Sequence, residues 1–456
     1  MSFRHFVPTI SSRASLAFRG IYGPQVRAIS SAQILQMAKA KPKTTQKRGA
    51  DKTKSTSFKK KIKGLGSEVF SYRLNAGEDE SDVTEQDFRN SEYYKSPPHL
   101  DINPIKFEYL VQNFPTKIFS IDENLIQVFQ ASKLSGKLNQ VFDILNNTGL
   151  VARGITNNVA ERVMKSSITS YENTIILDGE CGVGKTASLL QIASCAIKSD
   201  WFVFYVPETI SWVDSSKPYI PSFEDPSKFY QWTLVSSLLN NINLINNNDI
   251  LHEKLLLKEE CTLGKNKFAV GTPISSVIDV GIKTPSLSQQ ALQIVLDCVS
   301  SQTEVPVLIA IDQINTFFSL SSYTDQENKR IYSNKLLLVE SLLPYFGNLT
   351  TLSEYSAAIP KKKLQRGVVI GATSKADKRF RDYYFFDYLR NRKSTTHPFE
   401  VLNVPVFTKE EAFYLLGLYK LSNLTNIEPS LVQASRIWGI ASGVPSKIYD
   451  YCSRFF

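Results

Sequence analysis

Residues 174–186 read Thr-Ile-Ile-Leu-Asp-Gly-Glu-Cys-Gly-Val-Gly-Lys-Thr, and no other stretch constrains the fold as strongly. An apolar β-type run at 175–177 leads into Gly179-x-x-x-x-Gly184-Lys185-Thr186, and 187–197 continues with helical character. Strand, glycine loop and helix in that order is the context a phosphate-binding loop requires. The glycines let backbone N–H groups turn inward where side chains would block a phosphate. The helix that follows adds partial positive charge at its N-terminus. Lys185 is placed to reach the β- and γ-phosphates, and the Thr186 hydroxyl to ligate Mg²⁺. Cys181, inside the loop, reads as a small filler rather than a nucleophile.

Further apolar runs extend this reading to a fold class. Residues 201–206, 305–312 and 367–374 each read as a buried parallel strand, and 401–407 as a short strand. The run at 305–312 ends in Asp312, which suits the Mg²⁺ shell. The next residue is Gln313, where ATPases of the additional-strand type usually carry a glutamate that polarises water. A neutral amide cannot take up a proton as a carboxylate does, so nucleotide binding with slow or absent turnover is expected, and no catalytic residue is assigned. The run at 367–374 ends in Thr373-Ser374; Thr373 is either a sensor on the γ-phosphate side or a simple strand cap. The expectation is an α/β P-loop NTPase, with a mainly parallel sheet, flanking helices of AAA+/STAND-like type and a small C-terminal helical lid.

The candidate nucleotide-binding residues are therefore Gly179, Cys181, Gly182, Val183, Gly184, Lys185, Thr186, Ala187, Asp312 and Thr373, with Thr186 and Asp312 as metal ligands. Arg153-Gly154, ahead of the loop, is a weaker candidate for the base site. Five cysteines without a CxxC pair, and four histidines, argue against a zinc site or a disulfide framework. No run approaches the length of apolar residues that a membrane span needs.

Charge separates the ends of the chain. Residues 1–64 hold 15 Lys/Arg against the single acid Asp51, a net +14, which leaves −4 of the formal +10 for the rest. Within 1–30 the residues Arg4, Arg13, Arg19 and Arg27 lie among serines with no acid, the signature of a mitochondrial targeting peptide. Residues 31–100 read as a basic arm followed by a polar linker, too poor in apolar residues to bury a core; the arm suits either RNA phosphates or a spacer role. Residues 101–400 read as the nucleotide domain with an N-terminal extension, including a helix over 122–145, an insertion at 246–290 rather than core, and a helix over 331–347. Residues 375–393 interleave Lys and Arg with Tyr and Phe, a pattern that suits RNA contact and a protein interface equally. Residues 401–456 read as the lid, opened by the capping box Thr408-Lys-Glu-Glu411. Gly443-x-Pro445 there is either a lid turn pressed against a nucleotide or a plain turn between helices.

In this order — basic presequence, Gly179–Thr186 loop, Asp312-Gln313 strand end, Thr373 strand, Gly443-x-Pro445 turn — the chain resembles the death-associated-protein family of mitochondrial small-subunit ribosomal proteins over roughly residues 100–456. The resemblance implies a P-loop domain built into the head of the small subunit, in the mitochondrial matrix. It implies a bound purine nucleotide (GTP/GDP or ATP) with Mg²⁺, held by Gly182, Gly184, Lys185 and Thr186 with help from Asp312. Its partners would be the small-subunit rRNA and neighbouring ribosomal proteins, with possible large-subunit contacts. No Asn-Lys-x-Asp guanine motif is present, so the base stays open. The competing expectation is a free matrix ATPase or GTPase acting as a remodeller or switch.

Overall fold

Five apolar runs lie side by side as one parallel sheet. They are β1 (Thr174–Asp178), β2 (Phe202–Val206), β3 (Val307–Asp312), β4 (Gly367–Ala372) and β5 (Phe399–Asn403), in the spatial order β5-β1-β4-β3-β2. The computed structural model describes residues 102–111, 118–132, 134, 136–145, 148–167, 174–346, 362–390 and 399–454. The targeting peptide expected at 1–30, the arm and linker expected at 31–100, and Arg392 and Lys393 of the basic–aromatic stretch lie outside these residues.

Every residue of β2, β3 and β4 is buried, because a parallel sheet of this kind is covered on both faces. Alternation then sorts the side chains. Ile175, Leu177, Val203, Tyr205, Leu308, Ala310, Val368 and Ile370 face one layer, formed by α1 (Gly154–Lys165) and α2 (Lys185–Lys198). Ile176, Phe202, Phe204, Val206, Val307, Ile309 and Ile311 face the other, formed by α3 (Trp232–Ile245), α4 (Ile274–Lys283) and α5 (Ser288–Ser301). Each of the larger apolar side chains among these contributes roughly 1.5–3 kcal/mol by its burial. The sheet and its flanking helices are compatible with a P-loop-like fold. Among the described residues no helix is long and apolar enough to cross a membrane.

Register places the carboxyl ends level. Asp312 pairs with Ala372, Ala372 with Leu177, and Asp178 with Asn403. All the turns that leave these strands therefore open on one edge, where α/β sheets of this type bind their ligands.

Ahead of β1, a small sheet of Ile102–Pro104, Ile118–Ser120 and Gly149–Val151 packs with its helices on the α2 side, through Phe107, Leu110 and Phe129. The helix expected over 122–145 is two helices, Glu123–Ala131 and Gly136–Leu145. The first ends at Ser132, whose hydroxyl turns back to the Val128 carbonyl at 2.9 Å, as serine does when it competes with the helix ladder.

Two other expectations change. The stretch 246–290, expected to lie outside the core, supplies Ile250, Leu251, Leu255, Leu263, Ile274, Val277 and Ile278 to the main hydrophobic cluster. Its polar average masks an apolar stripe at 274, 277, 278 and 281 that α4 turns inward. The helix expected over 331–347 is broken up among the described residues: Arg330–Tyr332 pairs with Leu320–Thr324 as a hairpin, Ser333–Lys335 and 343–346 are short 3-10 turns, and α-helix is confined to Leu337–Leu342. Asp325 forms that hairpin's turn by accepting the N–H groups of Glu327 and Lys329, each at 2.9 Å.

After β4 comes α6 (Tyr383–Arg390), and after β5 the lid: α7 (Lys409–Leu421), α8 (Leu431–Ala441) and α9 (Pro445–Cys452). The expected capping box is present in full, with Thr408 and Glu411 each satisfying the other's backbone N–H. The lid has its own core of Leu415, Leu416, Leu418, Tyr419, Ala434, Ile437 and Ile448.

Candidate functional site

The loop that leaves β1 is shaped by its glycines. Gly182 and Gly184 take φ of +80° and +99°, left-handed values that a side chain would strain. At Gly182 there is also no room, because an added Cβ would lie 2.0 Å from the Ser446 hydroxyl oxygen. Gly184 then caps α2, whose first residues are Lys185 and Thr186. Lys185 is buried, and its ammonium folds back to donate to the carbonyls of Gly179 at 2.9 Å and Glu180 at 2.7 Å. Burial pushes its pKa down, opposed by the charges of Asp312 and Asp178.

Across the edge, Asp312 ends β3. Thr186 donates its hydroxyl to the Asp312 carboxylate at 2.6 Å, and the Gln313 N–H donates to the other oxygen at 2.8 Å. Asp312 is 2% exposed, and burial raises its pKa to about 6 against the pull of these hydrogen bonds and of Lys185. The hydroxyl–carboxylate pair expected to share a Mg²⁺ shell is thus brought together from residues far apart in the chain. The chemistry fits: an oxygen-rich pair suits a hard cation, while loop N–H groups and Lys185 suit phosphate. Among the described residues no cluster of three or more His, Cys, Asp or Glu side chains could hold a metal ion.

The remaining candidates divide. Gly179, Val183 and Ala187 lie in the loop and the first turn of α2, with Val183 fully buried behind the loop, and Cys181 is exposed on it. Gln313 is in the left-handed region at φ +62°, and its side-chain carbonyl accepts the N–H groups of Thr209 at 3.2 Å and Ile210 at 3.1 Å. It therefore caps the short helix Ile210–Val213 after β2. Thr373 spends its hydroxyl on the carboxylate of Asp178, the last residue of β1, at 2.6 Å. It ties β4 to β1.

Arg153 has another task than walling a base. Its guanidinium is 3% exposed and donates to Val183 O in the phosphate loop at 2.8 Å, to Pro405 O at 2.7 Å and to Glu411 at 3.3 Å. It also stacks over the Phe407 ring, 4.6 Å from the centroid. Burial lowers its pKa and Glu411 opposes that. Arg153 thus latches the loop to the segment leading into the lid. The lid returns to the loop at Gly443-x-Pro445. Phe407 donates its N–H to Gly443 O at 2.7 Å, the Trp438 indole N–H donates to Phe407 O at 2.6 Å, and Ser446 N–H donates to Gly182 O at 3.3 Å. The turn between the lid helices thus rests on the glycine loop after β1, at Gly182.

Three residues at this edge carry no motif that marks them from sequence. Asp178 ends β1 as many buried strands end. Asn315 joins the turn after β3 to the segment after β4 through Ser374 N at 2.7 Å and Phe380 O at 2.8 Å. Lys375 lies two residues past Thr373, and its ammonium stands 3.8 Å from Asp178 and 3.5 Å from Glu180.

Comparison with known proteins gives the family of this chain. Proteins named small ribosomal subunit protein mS29 are similar to this chain. The one from Bos taurus is 25% identical over 37% of this chain and 43% of its own length. The one from Mus musculus is 23% identical over the same shares, and the one from Schizosaccharomyces pombe is 21% identical over 74% of this chain and 71% of its own. The match thus spans less than half the length of the two mammalian relatives. Among solved structures, a chain of the E. coli MS115-1 HORMA:CdnC:Trip13 complex matches 78% of this chain and 98% of its own at 11% identity, with a TM-score of 0.24, which supports no comparison of folds. The family model described as mitochondrial ribosomal death-associated protein 3 matches residues 150–448, from the strand before Arg153 to the last helix of the lid. With most of its length inside that match, the chain belongs to the mitochondrial ribosomal death-associated protein 3 family and has the mitochondrial location that membership carries.

Proposed function

We propose that this chain is a structural protein of the mitochondrial small ribosomal subunit that retains a purine nucleotide, GTP/GDP or ATP, with Mg²⁺ at the loop Gly179–Thr186. The observation that carries the nucleotide is the Thr186–Asp312 contact of 2.6 Å beside the buried Lys185, at the carboxyl edge of the sheet where the glycine loop meets the N-terminus of α2. Placing β4 between the loop strand β1 and the Asp312 strand β3 supports the additional-strand class of P-loop NTPases, and the lid resting on the loop supports the AAA+/STAND-like form of it. A nucleotide held there bridges the sheet and the lid. Its binding energy would then stabilise the folded chain.

Little hydrolysis is expected. Gln313 stands at the position of a water-polarising glutamate, and its side-chain oxygen is already engaged by Thr209 and Ile210. Contact with the small-subunit rRNA is supported by the surface after β4. Tyr383 and Tyr384 are each 73% exposed, and Lys378, Arg379, Arg381 and Arg390 are exposed around them. Exposed rings offer stacking and the cations offer phosphate contacts.

The test is to purify mitochondrial small subunits carrying the wild-type chain or Lys185→Ala, extract them with acid and identify the released nucleotide by chromatography. One nucleotide per wild-type subunit, lost in the variant, is the expected result. Equal nucleotide content in both would remove the loop from the proposal. A chain found free of subunits with rapid turnover would make it a remodeller or switch instead.

A further inference from the structure

Two lysines from distant parts of the chain converge on one residue of the phosphate loop. Lys185 donates to the Glu180 backbone carbonyl at 2.7 Å, and the Lys375 ammonium lies 3.5 Å from the Glu180 carboxylate. Lys375 also stands 3.8 Å from the Asp178 oxygen that receives the Thr373 hydroxyl, and over the Phe386 ring at 5.5 Å from its centroid. Its side chain is only 13% exposed. This is not a solvated surface lysine: β4 delivers it, and Asp178 and Phe386 hold it on the loop. The Glu180 carboxylate, by contrast, is 75% exposed and free to rotate into water.

We propose that Lys375 is a second phosphate-binding cation of this site, and that it reads the terminal phosphate, so that the site distinguishes a nucleoside triphosphate from a diphosphate. This deepens the nucleotide reading and rests on it. Lys185 grows from the helix that follows the loop and Lys375 from the segment that leaves β4, and both ammoniums meet the loop at Glu180. Lys375 feels its neighbour, for its charge is among those that lower the pKa of Lys185. Two cations this close are stable together only with anions between them. Asp178, Asp312 and the Glu180 carboxylate supply that charge in the structure. A γ-phosphate, carrying more negative charge than one carboxylate, would take the place of Glu180 on Lys375 while Asp178 keeps the lysine aimed. A diphosphate ends short of that position and leaves the Glu180–Lys375 pair in place.

The test uses the full-length chain, titrated calorimetrically with Mg²⁺ and each of GTP, GDP, ATP and ADP. Lys375→Ala is expected to weaken the preferred triphosphate about tenfold or more, the loss of one charge-assisted contact, while its diphosphate changes less than about threefold. Lys375→Arg should restore most of the triphosphate affinity. Retained diphosphate affinity certifies that the variant is folded. Glu180→Gln gives an independent gain: it should tighten triphosphate binding severalfold with Lys375 present and not in the double variant with Lys375→Ala. Equal effects on triphosphate and diphosphate, or no effect of Glu180→Gln, would overturn the role of Lys375 and leave the nucleotide site standing. If the wild-type chain binds none of the four nucleotides, the site reading itself falls, and this inference with it.

Discussion

Asp312→Asn should stabilise the protein without nucleotide while abolishing its response to Mg²⁺-nucleotide. The carboxyl is buried at 2% exposure, and its pKa stands at about 6 in the folded chain against an ordinary 3.8. A folded pKa above the unfolded one means that the protonated form favours folding. That stability is complete below pH 3.8 and is lost as pH rises through about 6. At neutral pH, about two pH units at 1.36 kcal/mol each put the cost of holding the carboxylate on the order of 3 kcal/mol. Asparagine removes the charge and keeps the shape. Its carbonyl can accept from the Gln313 N–H, and its amide can donate to the Thr186 hydroxyl in place of the present bond at 2.6 Å. The attraction to Lys185 is already included in that net rise, so only the weaker neutral bonds of the amide count against the gain, returning about 1–2 kcal/mol. The net expectation is a variant about 1–2 kcal/mol more stable at pH 7.5, with the gap closing towards pH 4.5. Urea denaturation of the full-length chain at the two pH values, without nucleotide, measures it. In a second series with Mg²⁺-nucleotide, wild type should gain stability and the variant should not. A variant less stable than wild type at pH 7.5, or a gap independent of pH, would refute the claim that desolvation of this carboxylate dominates at the site.

Other outcomes follow from the same geometry. Gln313→Glu should leave stability within about 0.5 kcal/mol and not raise hydrolysis, since a carboxylate would still accept the Thr209 and Ile210 N–H groups at a helix start; a marked rise in phosphate release would show that the side chain turns towards the loop. Gln313→Ala leaves those donors without an acceptor and should cost about 1–3 kcal/mol in a denaturation curve. Arg153→Met strands the buried Glu411 and unlatches the lid, so a loss of about 3–5 kcal/mol is expected, with faster amide exchange in α7–α9 than in β1–β4; uniform exchange would deny the latch.

Parts of this protein are legible in one dimension because the physics there is local. The glycines, lysine and threonine of 179–186 must be contiguous to wrap a phosphate, so the loop is visible in sequence. The sheet strands are visible for the same reason, since burial on both faces demands unbroken apolar runs. The capping box at 408–411 is local as well, and it forms as expected. The charge of the first 64 residues needs no fold to be counted.

What the sequence left open depends on which residues meet across the sheet edge. Arg153 and Gln313 each have several polar partners within reach, and only packing chose the latch for one and the helix cap for the other. That Thr373 reaches Asp178 follows only from the register that sets the two strand ends level. The apolar stripe of 274–281 is short and set among polar residues, so composition hid it until α3 and α5 closed over it. By itself the sequence determined that a glycine loop between strand and helix, a buried parallel sheet and a C-terminal helical unit exist, because each rests on neighbours along the chain. Tertiary structure alone decided that the lid rests on Gly182 and that Lys375 joins Lys185 at Glu180, because these contacts join residues some 190 to 260 positions apart, where only the register of β1, β3 and β4 and the return of the lid bring them together.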